Sequence, residues 1–488
     1  MKAEPPKPAA PKPRRFFAFG KLAGSGLGRK LGAKLLIQVP GGSAIYRPVY
    51  WLYRAVGTTW YWARQRLTRP GFCMVGGIFV AAGISTDIEN TVTYQCFASL
   101  VGFLIPAFVW SFFFRAKFSV TRQLPRFGTA GQPLYYTVQV QNLSRQNQNG
   151  LSLFEVLADP RPSFPEWLAF QIAESKRVRP FEVSNRRRTN PFRRGRVKEA
   201  QMPSLPAGGE GFANVEILPL RRGILHFTGV KLGRPDPLGL FRSFVKVPAP
   251  QSVLILPKRY PLQAIALPGA FRYQEGGVAL ASNVGRSDEF VSLRDYRHGD
   301  PLRHIHWRSW AKVGKPIVKE FEDEFFVRHA LVLDTFDPEP NSEILEEAVS
   351  VAASFACTVL TQESLLDLLF VGNESYCFTT GRGLAHVDQM LEILASVKNC
   401  ADKGFDVLEQ LVLNHIAAVS GCICVLQRWD EPRQHLIKLL RSLGVPLLVL
   451  VLARPGEPKP EPGPMSDDPA SFHVLQTGQI EQQLAALK

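Results

Sequence analysis

An uninterrupted apolar stretch constrains this chain more than any other feature of its sequence. Val92 to Phe114 comprises 23 residues without a formal charge, and a helix of that length measures about 34 Å, enough to cross the hydrocarbon core of a bilayer. A second run, Phe72 to Ile88, has 17 residues and carries no charge until Asp87. The two runs together predict a two-helix transmembrane hairpin over residues 71–115.

The charges that flank the hairpin predict its orientation. The short turn at 87–91 contains two acids and no base, whereas basic residues lie on both outer sides. They are Arg54, Arg64, Arg66 and Arg69 before the hairpin, and Arg115, Lys117, Arg122 and Arg126 after it. Because basic flanks remain in the cytoplasm, we expect a two-span inner-membrane protein with both termini cytoplasmic. A signal peptide is disfavoured by the long basic region in front, and a buried hairpin of a soluble protein is the alternative.

Residues 1–70 form a basic N-terminal region with 14 Lys or Arg and one acid. Residues 1–15 are rich in Pro, Lys and Ala, which predicts a disordered cationic tail near anionic lipid headgroups. The aromatic clusters at 50–53 and 60–62 interleave with arginines and predict an interfacial helix. A second basic stretch, 176–198, is interpreted as a lipid-facing loop, with a solvated loop or nucleic-acid binding as alternatives. The rest of the chain is mildly acidic, so we expect no specific nucleic-acid partner.

Short alternating runs replace the helical pattern over residues 116–257. In Tyr136, Val138 and Val140 the apolar side chains share one face of a strand, and Gln139 and Gln141 take the other face. Such alternation, punctuated by Gly, Pro and Asn, predicts a β-sandwich-like domain. The seven cysteines are odd in number and lie mostly in apolar runs, which favours buried, reduced thiols over a disulfide framework.

The segment from Gly285 to Glu322 packs charges, aromatics and glycines more densely than a plain amphipathic element needs. Its pattern consists of Gly285, Glu289, Arg294, Tyr296, Gly299, Asp300, Arg303, His306, Trp307, Lys319 and Glu320. Together with Arg222-Gly223 and the run Asp236-Pro-Leu-Gly-Leu-Phe241 upstream, this pattern resembles the bacterial "domain of unknown function 58" family. The resemblance covers roughly residues 72–452.

The resemblance implies a membrane-tethered protein with a C-terminal domain similar to von Willebrand factor type A and an association with MoxR-type AAA+ ATPases. Independently, apolar strands alternate with helical stretches over residues 327–453, which predicts a doubly wound α/β domain. The expected fold is therefore multidomain: a transmembrane hairpin, a β-sandwich-like domain and an α/β domain. Residues 258–326 link the last two domains, and residues 454–488 are expected to form a Pro-rich linker and C-terminal tail.

Type A domains carry an Asp-x-Ser-x-Ser metal loop after their first strand, and the resemblance places Asp334-Thr-Phe-Asp-Pro338 at that position. Carboxylates and hydroxyls are the oxygen ligands of Mg²⁺, but both serine places are lost in this chain. Asp334, Asp337 and Asp430 are the remaining candidates for a degenerate Mg²⁺ site. The alternative is a strand-end turn that serves as a protein-contact surface. No other cofactor is expected.

Three interpretations of the dense segment remain open. In the first, a buried ion-pair network docks the β-domain onto the α/β domain and consists of Glu289, Arg294, Asp300 and Arg303. In the second, the same four residues form a partner-contact surface. In the third interpretation His304 and His306 share one face of a strand and bind zinc with Asp300.

We therefore expect a membrane-anchored cytoplasmic scaffold or adaptor without enzymatic activity. It would act with a MoxR-type AAA+ ATPase, other proteins and anionic lipid headgroups in the assembly or remodelling of protein complexes. The alternative is a membrane-bound metal-dependent hydrolase that uses the segment with His304, His306 and Asp300.

Overall fold

The structure is a computed structural model. It describes residues 43–84, 91–159, 161–177, 192–262, 290–298, 300, 302–321, 328–337, 342–361, 365–380 and 384–487. The chain divides into two compact units: Met1–Gln65 with Arg161–Arg187 form unit 1, and Arg66–Pro160 with Arg188–Lys488 form unit 2. The predicted cationic tail and most of the second basic stretch lie outside the described residues.

Helices cluster at the start of the described chain, strands dominate its middle, and the two alternate toward its end. The α-helices are α1 (Ser43–Arg66), α2 (Arg69–Ile84), α3 (Thr91–Trp110), α4 (Phe164–Arg177), α5 (Trp307–Val313), α6 (Glu343–Thr361), α7 (Leu384–Ser396), α8 (Asp406–His415), α9 (Glu431–Ser442) and α10 (Ile480–Ala485). The strands are β1 (Phe118–Gln123), β2 (Phe127–Thr129), β3 (Leu134–Asn142), β4 (Ser152–Leu157), β5 (Gly195–Val197), β6 (Ala200–Gln201), β7 (Glu210–Pro219), β8 (Gly223–Pro235), β9 (Arg242–Leu256), β10 (Phe290–Asp295), β11 (Ile317–Phe321), β12 (Arg328–Leu333), β13 (Leu365–Val371), β14 (Ser375–Thr380), β15 (Gly421–Leu426), β16 (Leu447–Ala453) and β17 (Phe472–Gln476).

In the described part of unit 1, α1 packs against α4. Tyr50 is buried between Phe164 and Trp167, with ring centroids 5.4 and 5.5 Å away, and its hydroxyl donates to the carbonyl of Pro162 at 2.9 Å. A helix therefore lies within the region expected to be β-rich, because Trp167 and its neighbours supply one apolar face for α1. Other aromatic residues of α1, Trp51 among them, remain exposed, as an interfacial helix requires.

Unit 2 begins with α2 and α3, which pack side by side where Gly77 faces Leu100. Of the described helices, only α3 is long and apolar enough to cross a membrane by its length and composition, over Val92–Trp110. Helix α2 has 16 residues, about 24 Å at the rise of an α-helix, which is less than the hydrocarbon core. The predicted hairpin thus has one helix of spanning length, and the predicted turn at 87–91 lies mostly outside the described residues.

The turn between β8 and β9 lies against the outer ends of both helices. The amide of Thr68 donates to the carbonyl of Leu240 at 3.0 Å, and the rings of Phe108 and Phe241 meet edge-to-face at 5.6 Å. Gly71 approaches this turn so closely that a Cβ atom would overlap the carbonyl oxygen of Leu240. The run Asp236–Phe241, part of the family pattern, is therefore the joint between the helix pair and the β-domain.

The β-domain is built from two facing sheets, with strand orders β1-β3-β7-β5 and β2-β9-β8-β4-β6. All pairs except β2 with β9 are antiparallel, and both sheets contribute to one core. Tyr136, Val138 and Val140 are buried there, as their alternation predicts. Arg122, counted above among the flanking charges, is instead inside this core and binds Glu155 through two nitrogens, at 2.8 and 2.9 Å.

The C-terminal sheet has the strand order β14-β13-β12-β15-β16-β17. Only the β13–β14 pair is antiparallel. Helices α6, α7 and α10 bury apolar residues on one face and α8 and α9 on the other, so this is the doubly wound α/β domain that the sequence predicts. The sheet extends beyond the expected boundary at 453, because β17 pairs in parallel with β16 and the following Ile480 and Leu484 are buried.

Candidate functional site

In the α/β domain the strand order reverses between β12 and β15, and in doubly wound folds the carboxyl ends of the strands border a crevice at such a point. Strands β12 and β15 are parallel neighbours, but the chain leaves them toward opposite edges of the sheet, β13 on one side and β16 on the other. Such a switch point at the carboxyl ends of the strands is where doubly wound folds place their ligands. Asp334 follows β12, and residues 427–430 follow β15 and lead into α9.

Asp334 lies at the bottom of this crevice with no exposed surface. One carboxylate oxygen, Oδ1, accepts from the amide of Phe336 at 2.9 Å and from Nη2 of Arg433 at 3.3 Å. The other oxygen, Oδ2, accepts from the amide of Gln427 at 3.1 Å and from Nε of Arg433 at 3.2 Å. Burial raises the pKa of Asp334, and the attraction of the Arg433 guanidinium opposes that rise.

Arg433 is the cation of the crevice. Its Nη1 donates to Asp430 at 2.7 Å and its Nη2 also donates to the carbonyl of Phe336 at 3.1 Å, while the guanidinium lies 4.4 Å from the ring centroid of Phe405. A cation in the first turn of a helix opposes the helix dipole, so the two carboxylates offset that cost. Asp430 in addition caps α9 by accepting the amide of Arg433.

The third predicted metal candidate lies in the same crevice. Asp337 is buried and pairs with Arg428 at 3.1 Å, and its backbone carbonyl accepts from the side-chain amide of Asn399 at 2.6 Å. The structure thus brings Asp334, Asp337 and Asp430 together, but around guanidinium groups.

These residues do not fit a Mg²⁺ ion. Both oxygens of Asp334 already accept two hydrogen bonds each, and a hard divalent cation needs free oxygen ligands. In the described part of the chain, no three His, Cys, Asp or Glu side chains form a group that could hold a metal. Chemically, Arg433 is a fixed internal cation that sets the shape of the loops at this edge.

Strands β10 and β11 form an antiparallel hairpin that carries the dense segment. The guanidinium of Arg294 binds Asp300 through two nitrogens at 2.7 and 2.8 Å, and the amide of Arg297 donates to the same carboxylate at 2.8 Å. The hydrogen bonds from Arg294 and then Arg297 lower the pKa of Asp300 to about 2. The predicted Arg294–Asp300 pair therefore forms, and it joins two parts of one hairpin.

The other predicted residues of this segment are distributed as follows. Tyr296 donates its amide to the carbonyl of Pro316 at 3.0 Å, and Lys319 lies opposite Leu293 in the hairpin register. Trp307 is 63% exposed and stacks on Trp310 at 5.2 Å. The residues that the structure describes do not include Gly285, Glu289 and Gly299, nor the side chains of Arg303 and Glu320.

The two histidines do not share a strand face. His304 ends a short 3₁₀ helix that begins at Leu302, and His306 immediately precedes α5, with its Nδ1 2.6 Å from the hydroxyl of Ser309. The expected strand is interrupted because residues 302–313 wind into helical turns between β10 and β11. The zinc arrangement expected for a hydrolase is thus not assembled by the described residues.

Arg222 binds the β-domain to the α/β domain. It lies outside the segment 285–322, to which the docking hypothesis assigned this role. Its side chain is 5% exposed, forms an ion pair with Glu346 at 2.6 Å, and donates to the carbonyls of Leu394 and Val397 at 3.2 and 2.8 Å. Tyr260 adds a hydrogen bond from its hydroxyl to Glu347 at 2.5 Å. The signal was present in the sequence, because Arg222-Gly223 belongs to the motifs that carry the family resemblance.

Arg433 also had a signal in the sequence that the metal hypothesis passed over. An Asp-Glu-Pro-Arg run begins α9, and an arginine so close to a helix N-terminus requires a carboxylate partner to offset the dipole. Its partner Asp334 lies 99 positions away, which local patterns do not identify.

Comparison with known proteins finds a family match within the C-terminal half of the chain. Residues 292–420 match the family described as "Protein of unknown function DUF58". The chain is similar to that family over this segment, which is 129 of its 488 residues. It is also 29% identical over 184 residues to "Uncharacterized protein YeaD" of Bacillus subtilis (strain 168), which covers 37% of this chain and 44% of that relative. The DUF58 match includes β11 to α8, and thus the Asp334 side of the crevice and the hairpin's second strand.

Two solved structures illustrate the likeness at low sequence identity. The CARDB domain of a Pyrococcus furiosus protein, described in complex with di-metal ions, is 12% identical, covers 30% of this chain and 91% of its own, and has a TM-score of 0.16. A PapD-like domain of human CEP192 is 11% identical, covers 29% and 85%, and also has a TM-score of 0.16. Scores this low carry no argument about this chain.

Proposed function

We propose that this protein is a membrane-anchored scaffold that presents its α/β domain in the cytoplasm to a MoxR-type AAA+ ATPase or to the proteins that such an ATPase remodels. The observation that carries the proposal is the saturated crevice. At the switch point of a doubly wound sheet, the carboxylate of Asp334 and the guanidinium of Arg433 satisfy one another. A crevice closed by its own ion pair is suited to hold a fixed protein-contact surface.

The strand order supports a von Willebrand factor A-like assignment of this domain. Numbered from β12, the order is 3-2-1-4-5-6, and the third strand is the antiparallel edge. The metal loop that such domains use is replaced in this chain by Arg433, so we propose that partner binding at this edge is independent of Mg²⁺.

The helix pair supports a two-span anchor. The β8–β9 turn contacts α2 at Gly71 and α3 at Phe108, so the start of α2 and the end of α3 lie on the same side. If α3 crosses the bilayer, α2 and the connection to α3 must carry the chain to the far side first. Basic residues at the near ends, Arg66 and Arg115, favour a cytoplasmic location for the β-domain and the α/β domain.

Copurification tests two parts of the proposal together: the AAA+ ATPase as partner, and the edge at the carboxyl ends of the α/β-domain strands as the surface that binds it. The full chain is isolated in mild detergent and its associated proteins are identified by mass spectrometry, for wild type, Glu431→Arg at the start of α9 and Lys438→Glu two turns further along the same helix. Both residues are exposed. We expect an AAA+ ATPase with wild type and Lys438→Glu, and much less of it with Glu431→Arg.

Two results would contradict the proposal. Repeated absence of any AAA+ ATPase, under conditions that preserve other membrane complexes, would argue against the partner. Equal recovery of the ATPase with both charge-reversal variants would argue against the edge at the carboxyl ends of the strands as the docking surface. A reporter fused after Arg115 that is active only outside the cytoplasm would refute the orientation.

A further inference from the structure

The end of α3 and the β-domain enclose a small cavity in unit 2. It has a volume of about 150 Å³ and lies next to Trp110, at the end of the apolar helix. Its polar lining residues are Arg115, Gln146, Gln148, Arg234 and Ser243. Because two of these residues are arginines and no described lining residue is acidic, the charge of the lining favours a bound anion.

Side-chain contacts hold at least one of the cavity's cations in place. The guanidinium of Arg234 lies over the ring of Phe114, 5.3 Å from its centroid, which holds the cation beside the end of the membrane helix. Gln148 is buried, and among the described residues its side-chain oxygen has no hydrogen-bond donor. That oxygen has less than 1 Å² of accessible surface, so it is not open to a ligand in the cavity, and the charged lining groups are Arg115 and Arg234.

Further cations lie on the same β8–β9 hairpin. Lys231 and Lys246 are directly opposite each other in its register, and like charges in that position are unfavourable. Burial, followed by the like charges of Lys246 and Arg66, lowers the pKa of Lys231 to about 8. Arg66 in turn donates to the hydroxyl of Ser111 at 3.1 Å, just beyond the end of α3.

We propose that this cavity binds the phosphate of an anionic phospholipid headgroup, with Arg115 and Arg234 on the phosphate oxygens. Guanidinium groups bind phosphate oxygens with strong, charge-assisted hydrogen bonds. Trp110 belongs at the headgroup level of a spanning helix, so the cavity opens at the depth where lipid phosphates lie. The inference rests on the membrane anchor of the proposed function.

Native mass spectrometry of the full chain tests this site. Wild type, Arg115→Gln/Arg234→Gln and the control Arg196→Gln/Lys198→Gln are released from micelles that contain phosphatidylglycerol and phosphatidylcholine. The control removes two charges around β5, whose residues do not line the cavity. We expect wild type and control to retain phosphatidylglycerol in preference to phosphatidylcholine. The cavity variant should lose affinity for phosphatidylglycerol about tenfold or more, since each charge-assisted bond contributes well over 1 kcal/mol.

Three outcomes would overturn the site. They are equal retention of phosphatidylglycerol by the two double variants, equal retention of the two lipids by wild type, and displacement of the lipid by excess inorganic phosphate, which would indicate a soluble phosphate ligand. Alkaline extraction of membranes separates this failure from that of the anchor. If all three proteins stay in the membrane pellet, the anchor stands although the lipid site fails, whereas release of wild type contradicts the anchor and the site together.

Discussion

Replacing Arg433 by methionine removes the internal cation of the crevice and leaves the carboxylate of Asp334 buried without it. Asp334 has no exposed surface, and breaking a buried pair by deleting one partner typically costs about 3–5 kcal/mol. The matched control is Lys438→Met, which removes a positive charge from an exposed position of the same helix and should change stability by less than about 0.5 kcal/mol.

Cys422 and Cys424 supply a local assay for this loss. Both thiols are fully buried in β15, with their sulfurs 3.6 Å apart, so a thiol reagent reaches them only when the sheet opens. Alkylation of the full chain is followed by mass spectrometry of the peptide that carries them. We expect labelling to be faster in Arg433→Met by roughly a hundredfold to several thousandfold, and nearly unchanged in Lys438→Met.

The pH dependence and a double variant check the cause. Without Arg433 the folded state should bind a proton on Asp334 more tightly than the unfolded chain does, so the variant gains stability relative to wild type as the pH falls toward the ordinary aspartate pKa of about 4. Asp334→Asn combined with Arg433→Met should label more slowly than Arg433→Met alone. Labelling of Arg433→Met at the rate of the Lys438→Met control would refute the reasoning.

Three further predictions concern other parts of the chain. Gly71→Ala puts a Cβ against a backbone oxygen of the β8–β9 turn, so the free energy of unfolding of the full chain in detergent should fall by about 1–3 kcal/mol, with a lower melting temperature. The control Gly76→Ala has open space around the new Cβ and should melt like wild type. Arg222→Met should speed amide exchange at the end of α7 about tenfold or more, and unchanged exchange would show that other contacts hold the domains together. Because the pKa of Asp300 is lowered to about 2, its bond to Arg294 should stabilise the β10–β11 hairpin above the ordinary aspartate pKa and fail only as the pH falls from about 4 to about 2; loss of amide protection already between pH 7 and 5 would contradict this.

Short-range patterns predicted the elements of this fold well. The alternation at Tyr136, Val138 and Val140 fixes which face of β3 is buried, and the apolar strands of the α/β domain alternate with helices as expected. Strand β17 was missed because it follows a Pro-rich stretch and is stabilised by pairing with β16, a contact that local sequence does not specify.

The site was predicted less completely than the fold. The three aspartates were found because a carboxylate after a buried strand is visible in sequence, but the partner of Asp334 depends on a contact between distant segments. Similarly, the docking role expected of the dense segment is met by Arg222 in the contacts that the described residues show. Charge alone did not distinguish a surface arginine from Arg122, whose side chain is buried against Glu155.

The β8–β9 hairpin has a mechanical consequence. Its turn is fixed between α2 and α3, while Arg222 and Tyr260, just outside its other end, are fixed to the α/β domain. A strand of 13 residues such as β8 measures about 43 Å. A pull on the α/β domain would therefore travel along two hydrogen-bonded strands into the helix pair, so the hairpin acts as a stiff rod between the α/β domain and helices α2 and α3.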